Sequence, residues 1–247
     1  MTPDRQFSLQ RLADLYDLGN AGSEDRNYYL SLADEPPQDI LDLGCGTGLL
    51  SLAYADLGHR VIGVDPAGAM LTVARRAKKS QSVTWVESSA EQFRSEQQFD
   101  LIIMTGHAFQ VLLGDDQVSA TFQTIARHLK PTGRVVFESR NPSLDWDALW
   151  AREYSMQTQD GIVRAIRRVT DDSRAPEFLS FAWDYHFHND VVTSDSSLRF
   201  LSQAKIIELA SKAGLVLIEM CGDWDGGQFD PNVSREMIFQ FRLDQPS

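Results

Sequence analysis

The feature that most constrains the fold is a regular alternation of apolar runs and helical segments between residues 40 and 139. The runs ILDL, RVIGV, SVTWV and DLIIM are followed by loops or by segments in which apolar residues recur every three to four positions. A helix is predicted from about Asp115 to His128, and a fifth run, RVVFES, follows the turn signal KPTG. Strands that alternate with helices form right-handed βαβ units, so the sequence predicts an α/β fold around a parallel sheet.

This alternation stops at about residue 141. Residues 141–197 contain runs rich in aromatic and β-branched residues, GIVRAIRRVT, FLSFAWDYHFH and DVVTS, separated by turn signals. They predict an antiparallel β insert, with a short helix between Asp145 and Arg152. A helix that Ser202 caps and two strands, LVLIEM and EMIFQFRL, complete the chain. We therefore divide the chain into a main domain of residues 1–140 and 198–247, with an N-terminal helical cap over residues 1–37, and an insert of residues 141–197.

Three glycines, Gly44, Gly46 and Gly48, stand between the first strand and the first helix of the alternation. Open α/β sheets bind nucleotides at such strand-to-helix turns. A dinucleotide-binding loop needs its third glycine at the sixth position of the motif, where this chain has Leu49. The Lys-Ser/Thr ending of a phosphate loop is also missing, because Leu49 and Leu50 follow Gly48 directly. The turn therefore favours a ligand that approaches bare backbone without a phosphate contact.

Composition narrows the class of ligand. The net charge is −12 at pH 7 and no block of lysine or arginine interrupts it, which disfavours nucleic acids and anionic membranes as partners. No apolar run is long enough to span a bilayer, and the N-terminus is too polar for a secretory signal. The two cysteines, Cys45 and Cys221, have no metal-type spacing and predict no disulfide framework. We expect a cytoplasmic protein that acts on small molecules.

The stretch Asp42-Leu43-Gly44-Cys45-Gly46-Thr47-Gly48, an acidic strand end followed by G-x-G-x-G, resembles the first motif of the class I S-adenosylmethionine-dependent methyltransferases. The resemblance covers nearly all of residues 38–142 and resumes over 198–247. It implies a Rossmann-like, seven-stranded, mostly parallel sheet flanked by helices, with the last strand inserted antiparallel. It also implies S-adenosylmethionine as cofactor and methyl transfer to nitrogen or oxygen of a small-molecule acceptor. A protein side-chain methyltransferase and a non-catalytic S-adenosylmethionine-binding protein are the alternatives. The oligomeric state is left open, with a homodimer as one candidate.

The resemblance assigns the cofactor site to the ends of the first four strands. Asp42 is expected to face the ligand's ammonium, and Asp65 to accept hydrogen bonds from both ribose hydroxyls while its charge repels a 2′-phosphate. Ser89 stands where the family usually has an aspartate that accepts from the adenine amino group. The implied cofactor residues are Tyr16, Asp42, Gly44, Cys45, Gly46, Gly48, Asp65, Pro66, Met70, Ser89, Ala90, Glu91, Met104 and Thr105.

Acceptor residues are predicted from their place at the same sheet edge and in the insert. His107 follows the fourth strand and is either a general base or a scaffold for its loop. Alternate aromatic residues over 181–187 share one face, so the insert is predicted to form a lid. The expected substrate residues are Tyr28, Arg140, Trp146, Trp150, Tyr185 and Trp224. His186 and His188 lack a third ligand of suitable spacing, so no metal site is expected.

Overall fold

Two β-sheets dominate the computed structural model, which describes residues 2–19, 24–170 and 177–244. Seven strands form the main sheet in the order β10-β11-β5-β4-β1-β2-β3, and four form a second sheet in the order β6-β7-β8-β9. Numbered along the chain, the strands are β1 (Asp39–Leu43), β2 (Arg60–Asp65), β3 (Val83–Glu87), β4 (Phe99–Met104), β5 (Leu129–Arg140), β6 (Glu153–Thr158), β7 (Gly161–Thr170), β8 (Phe178–His186), β9 (Val191–Arg199), β10 (Leu215–Cys221) and β11 (Glu236–Leu243).

The predicted fold class is confirmed. Strands β1 to β5 pair in parallel, and β11 runs antiparallel to both of its neighbours, β5 and β10. The strands of the second sheet pair with their neighbours in chain order, and each of these ladders is antiparallel. The helices are α1 (Arg5–Ser8), α2 (Gln10–Ala13), α3 (Tyr16–Gly19), α4 (Glu24–Leu30), α5 (Leu49–Asp56), α6 (Gly68–Arg76), α7 (Asp115–His128), α8 (Trp146–Leu149) and α9 (Gln203–Lys212).

Two segments differ from their predicted form. The KPTG residues 130–133 are not a free turn but lie within β5, where the register against β4 jumps from Leu129 opposite Phe99 to Arg134 opposite Leu101. The N-terminal helical part is broken into short pieces because Leu9, with φ −88° and ψ 116°, is extended between α1 and α2. A bulge within β5 therefore replaces the predicted turn, and several short helices replace the predicted N-terminal helix.

The main sheet is buried on both faces, and the two-residue period of its strands sorts side chains between them. Leu41 and Leu43 of β1 belong to the core beneath α7 and α9, whereas Ile40 packs with Tyr29 and Tyr54 of α4 and α5. This double cover fixes the strand positions, so the loops after β1, β4 and β5 meet at one edge. No helix in the described ranges is long and apolar enough to cross a membrane.

The N-terminal segment, residues 2–19, lies between the two sheets and is called the N-terminal cover below. Leu12 and Leu15 pack with Met156, Val163 and Tyr185 of the second sheet. The cover is also bound to β9 through Gln6. The backbone N–H of Gln6 donates to Ser194 Oγ at 2.8 Å, and its side-chain amide donates to Ser196 Oγ at 2.9 Å. The cover therefore joins the second sheet to the edge of the main one.

Candidate functional site

Three adjoining cavities lie between the carboxyl edge of the main sheet, the N-terminal cover and the second sheet. The glycine cavity, about 650 Å³, is lined by Asp42, Gly44, Cys45, Gly46, Thr105, His107, Arg140, Trp224 and Glu236 among others. The Asp65 cavity, about 460 Å³, is lined by Gly44, Gly46, Asp65, Pro66, Met70 and residues of the cover. The aromatic cavity, about 310 Å³, is lined by His107, Arg140, Trp150, Arg167, Phe181, Trp183 and Tyr185 among others. Tyr16 and Gly106 border all three.

The glycine loop exposes bare backbone to two of these cavities. Gly46 has φ +54°, a conformation that L side chains rarely adopt, and it borders both the glycine and the Asp65 cavities. Its N–H donates to Asp65 Oδ2 at 2.9 Å, while Asp65 Oδ1 accepts from the N–H of Ala67 at 2.8 Å. Burial raises the pKa of Asp65. Asp65 thus holds the loop in place and also faces the cavity beside it.

Gly48 has a different role in the same turn. It precedes α5 with φ +79°, and a Cβ added there would lie 2.3 Å from the ring of Trp85. Such a contact is far inside van der Waals distance, so packing against β3 requires glycine here. Gly48 is not among the described residues that line the three cavities.

The structure also places four other predicted cofactor residues away from these cavities. Met104 and Ala90 are buried in the core beneath α7, at 3% and 8% exposure. Ser89 and Glu91 flank Ala90, and neither is among the described residues that line a cavity. The predicted contact to the adenine ring from this loop therefore gains no support from the cavity linings.

Asp42 is a buried carboxylic acid at the floor of the glycine cavity. Its Oδ2 accepts from Ser51 Oγ at 2.6 Å, and its Oδ1 has no hydrogen-bond partner among the described residues. Burial raises its pKa to about 7, and the charges of Asp65 and Glu138 act in the same direction. An unpaired carboxylate oxygen of this kind suits a cationic or hydrogen-bond-donating ligand group.

His107 lies at the junction of the glycine and aromatic cavities, held by two glutamates. Its backbone, in the left-handed region at φ 60°, donates an N–H to Glu138 Oε1 at 2.6 Å. Its ring Nε2 lies 2.9 Å from Glu236 Oε2. Burial alone would raise the pKa of Glu236, but the hydrogen bond and charge of His107, with the charge of Arg140, outweigh it and lower that pKa. His107 and Glu236 therefore form an imidazole–carboxylate pair in which the carboxylate orients the ring.

Glu138 and the N-terminal tyrosines support this junction from behind. Glu138 is 1% exposed, and its second oxygen accepts from the hydroxyl of Tyr29. Burial raises the pKa of Glu138. Tyr28 packs edge-on against Trp224 with ring centroids 5.9 Å apart. Trp224 lines the glycine cavity, whereas Tyr28 is a residue behind it.

Arg140 and Trp150 form the wall between the glycine and aromatic cavities. Arg140 donates from Nη1 to Gln110 Oε1 at 2.9 Å, and its guanidinium lies 4.7 Å from the ring centre of Trp150. It forms no ion pair with a described carboxylate, and burial lowers its pKa to about 10. Trp146 is instead packed behind the wall, where its indole N–H donates to the Asn141 carbonyl at 2.7 Å. The predicted pair of tryptophans is therefore split between wall and core.

The second sheet covers the aromatic cavity with one face. Phe181, Trp183 and Tyr185 alternate along β8 and all line the cavity, as the two-residue period predicts. The ring of Trp183 meets Tyr154 of β6 edge-on at 4.9 Å. Leu12, Leu15 and Tyr16 of the cover close the opposite side.

Sequence reasoning overlooked Glu138, Glu236 and Arg167. Glu138 stands inside the apolar run RVVFES, and Arg167 occupies an inward position that continues Val163 and Ala165 along β7. A charged residue at an inward position of a strand is a detectable signal in each case. Glu236 gave no such signal, because its contact with His107 joins residues far apart in the chain.

Comparisons with known proteins agree with this geometry. Residues 40–133 match a family model described as a methyltransferase domain. A cypemycin N-terminal methyltransferase from a Streptomyces species is 33% identical over 199 residues, which cover 81% of this chain and 80% of that protein. The CcbJ methyltransferase from Streptomyces caelestis has a TM-score of 0.78 and 23% identity, covering 95% of this chain and 96% of that one. S-adenosylmethionine-bound CalS10, an amino pentose methyltransferase from Micromonospora echinaspora, has a TM-score of 0.60 and 18% identity, covering 92% and 89%.

Proposed function

Because the chain belongs to the class I S-adenosylmethionine-dependent methyltransferases, we propose that it transfers the methyl group of this donor to the nitrogen of a small amine held in the aromatic cavity. The observation that carries the proposal is the meeting of all three cavities at Tyr16 and Gly106, beside His107. Two cavities on the glycine loop accommodate a donor, and the third accommodates an acceptor. The junction is where the two would react.

The residues present fit the donor. The unpaired Oδ1 of Asp42 can accept from the donor's ammonium in the glycine cavity, directly or through water. Asp65, Pro66 and Met70 line the neighbouring cavity and can hold the adenosine part. When bound, S-adenosylmethionine supplies an electrophilic methyl group on a sulfonium. Gly44 and Gly46 leave the backbone open between these two parts.

His107 is proposed to remove the acceptor's proton. In the tautomer that donates from Nε2 to Glu236, the other ring nitrogen, Nδ1, is free to accept a proton. Glu236 stays ionised because its pKa is lowered, so it orients the ring and stabilises the imidazolium that forms. The aromatic roof of Phe181, Trp183 and Tyr185 excludes water from the reacting atoms.

An amine is favoured over a hydroxyl by the charge of Glu236 at the junction. Glu236 lines the glycine cavity beside His107, and its ionised carboxylate attracts a protonated amine before His107 takes the amine's proton. The name of one similar protein, the cypemycin N-terminal methyltransferase, also points to a nitrogen acceptor. The same proton removal would serve a hydroxyl acceptor, which remains the second candidate.

The test is an acceptor screen with S-adenosylmethionine, in which small amines and matched alcohols are assayed for S-adenosylhomocysteine and methylated product. We expect transfer to amines, and we expect His107→Asn to reduce it about a hundredfold or more near neutral pH. For an amine this defect should shrink at high pH, where the acceptor is already neutral, whereas for an alcohol it should persist. His188→Asn, at an exposed position, is the matched control. Absence of turnover with every acceptor would overturn the proposal.

A further inference from the structure

Arg167 of β7 is a buried arginine whose hydrogen-bonding capacity is only partly used. Its side chain is 1% exposed, and its Nη2 donates to the carboxylate and the carbonyl of Asp147, both at 3.0 Å. Its Nε and Nη1 have no hydrogen-bond partner among the described residues. Buried guanidinium donors left without a partner are costly, so their presence calls for a ligand or another explanation.

The surroundings of Arg167 point to a ligand. It lines the aromatic cavity, and it stands opposite Trp183 in the β7–β8 ladder, so both side chains share the face that covers the cavity. Its guanidinium lies 5.4 Å from the ring centre of Trp150, and that of Arg140 lies 4.7 Å from the same residue's ring. Two guanidinium groups thus border one small cavity of about 310 Å³.

Asp147 neutralises Arg167 only in part, through an ion pair at 3.0 Å, and Arg140 has no ion-pair partner among the described residues. Asp4 lines the aromatic cavity too, but its carboxyl group is hydrogen-bonded to Ser196 and forms no ion pair with Arg140 or Arg167 among the described residues. Asp147 is 40% exposed and is shared with Arg152 at 3.5 Å. His107, like Arg140, borders both this cavity and the glycine cavity.

We propose that Arg167, with Arg140, binds a carboxylate on the methyl acceptor, so that the acceptor is an amine that also carries an acid group. This inference rests on the proposed function for the position of the reacting nitrogen. The unpaired N–H groups of Arg167 would receive the carboxylate oxygens at the end of the cavity, and the amine would extend past Trp150 towards His107. Guanidinium and carboxylate match in charge and in hydrogen-bonding geometry.

The first test measures binding without turnover. Phenylacetate and its neutral analogue phenylacetamide are titrated into the protein saturated with S-adenosylhomocysteine, and their affinities are read by ligand-observed NMR. We expect the carboxylate to bind about tenfold or more tightly than the amide, as a charge-assisted hydrogen bond implies. Equal affinity of the two probes would overturn the inference.

The second test assigns the preference to Arg167. Arg167→Met should abolish it while leaving the melting temperature unchanged or raised, because unpaired buried donors are removed. Arg164→Gln is the matched control, since Arg164 lies on the same strand but is exposed and paired with Glu153 at 2.7 Å. If Arg167→Met does not fold, Arg140→Gln must reduce the preference instead. A preference retained in the folded Arg167→Met or, failing that, in Arg140→Gln would refute the assignment.

The outcomes also separate this inference from the function on which it rests. A protein that methylates neutral amines and shows no carboxylate preference keeps the proposed function and loses the acid-binding inference. A protein that prefers the carboxylate probe but methylates no amine keeps a carboxylate-binding site at Arg167 and loses the proposed amine methylation.

Discussion

Asp42 carries a buried carboxylic acid whose protonation links stability to pH. Its pKa of about 7 in the folded protein exceeds the value of 3.8 expected in the unfolded chain. Between these values the native state holds a proton that the unfolded state has released, so stability is lost as the pH rises through the window. Above pH 7 the native protein therefore keeps a buried charge at a cost.

We predict that Asp42→Asn raises the free energy of unfolding of the ligand-free protein, relative to the wild type, by more at pH 8 than at pH 5. The difference between the two pH values should be on the order of 2 kcal/mol, or roughly 4–8 °C in melting temperature. The measurement is thermal unfolding of variant and wild type at both pH values. The same substitution removes the charge that faces the donor's ammonium, so calorimetry should show S-adenosylmethionine binding about tenfold or more weakly.

Asp39→Asn is the control for this prediction because its shift has the opposite sign. The hydrogen bond from Arg60, together with contacts to Lys130, outweighs burial and lowers the pKa of Asp39 to about 2. Its stabilisation is present above pH 4 and is lost only as the pH falls towards 2. The variant should be destabilised equally at pH 5 and pH 8. An Asp42→Asn variant that behaved in the same way would contradict the assigned pKa.

At the scale of elements, the segment that follows β5 carries two tryptophans with different roles. Trp146 begins α8 and is buried at 8% exposure, with its indole N–H bonded to the Asn141 carbonyl. Trp150 ends the same turn and lines the aromatic cavity, where its ring meets Phe181 edge-on at 5.5 Å. We therefore treat Trp146 as part of the core and Trp150 as part of the acceptor site.

Single substitutions should show this division. Trp146→Ala is expected to cost about 3–5 kcal/mol of unfolding free energy, as for other buried aromatic residues. Trp150→Ala should cost less and should mainly raise the acceptor KM, since it removes the ring that both Arg140 and Arg167 contact. Urea unfolding and steady-state kinetics measure the two effects. Equal loss of stability in both variants, with unchanged KM for Trp150→Ala, would place both residues in the core.

Elements with strong local signals were predictable from the sequence, whereas the site's long-range contacts were not. The helix from Asp115 to His128 has the predicted bounds, because its apolar period is regular over 14 residues. The short N-terminal helices depend on contacts with the second sheet, which local patterns do not record. For the same reason Asp65 could be placed beside the glycine loop from its motif, while Glu236 and Asp4 could not.

At the scale of the whole molecule, the N-terminal cover lies between the ligand cavities and the solvent, with some of its residues lining the cavities and others in exposed ion pairs. Its residues line the Asp65 and aromatic cavities, and Tyr16 borders all three. Two exposed ion pairs help to hold it, Arg11–Asp190 at 2.6 Å and Asp14–Arg76 at 2.9 Å. Exposed pairs of this type are weak and are screened by salt.

We predict that S-adenosylhomocysteine dissociates faster as ionic strength rises, because screening releases the cover. Arg11→Gln should accelerate dissociation about two- to fivefold at low salt, a modest factor because an exposed pair contributes little. Stopped-flow displacement measures both rates. Arg164→Gln, which removes an exposed pair on the second sheet, should leave dissociation unchanged. A rate independent of salt and of Arg11 would show that the cover does not control release.

One cover over both ligand sites has a kinetic consequence. If the cover must open before either spent donor or methylated acceptor departs, a single opening event serves both, and its frequency sets an upper limit on the number of catalytic cycles per second. A more nucleophilic acceptor would then react sooner within each closed interval without completing more cycles. Acceptors of very different intrinsic reactivity would converge on one common kcat, and their selection by the enzyme would be expressed in KM alone.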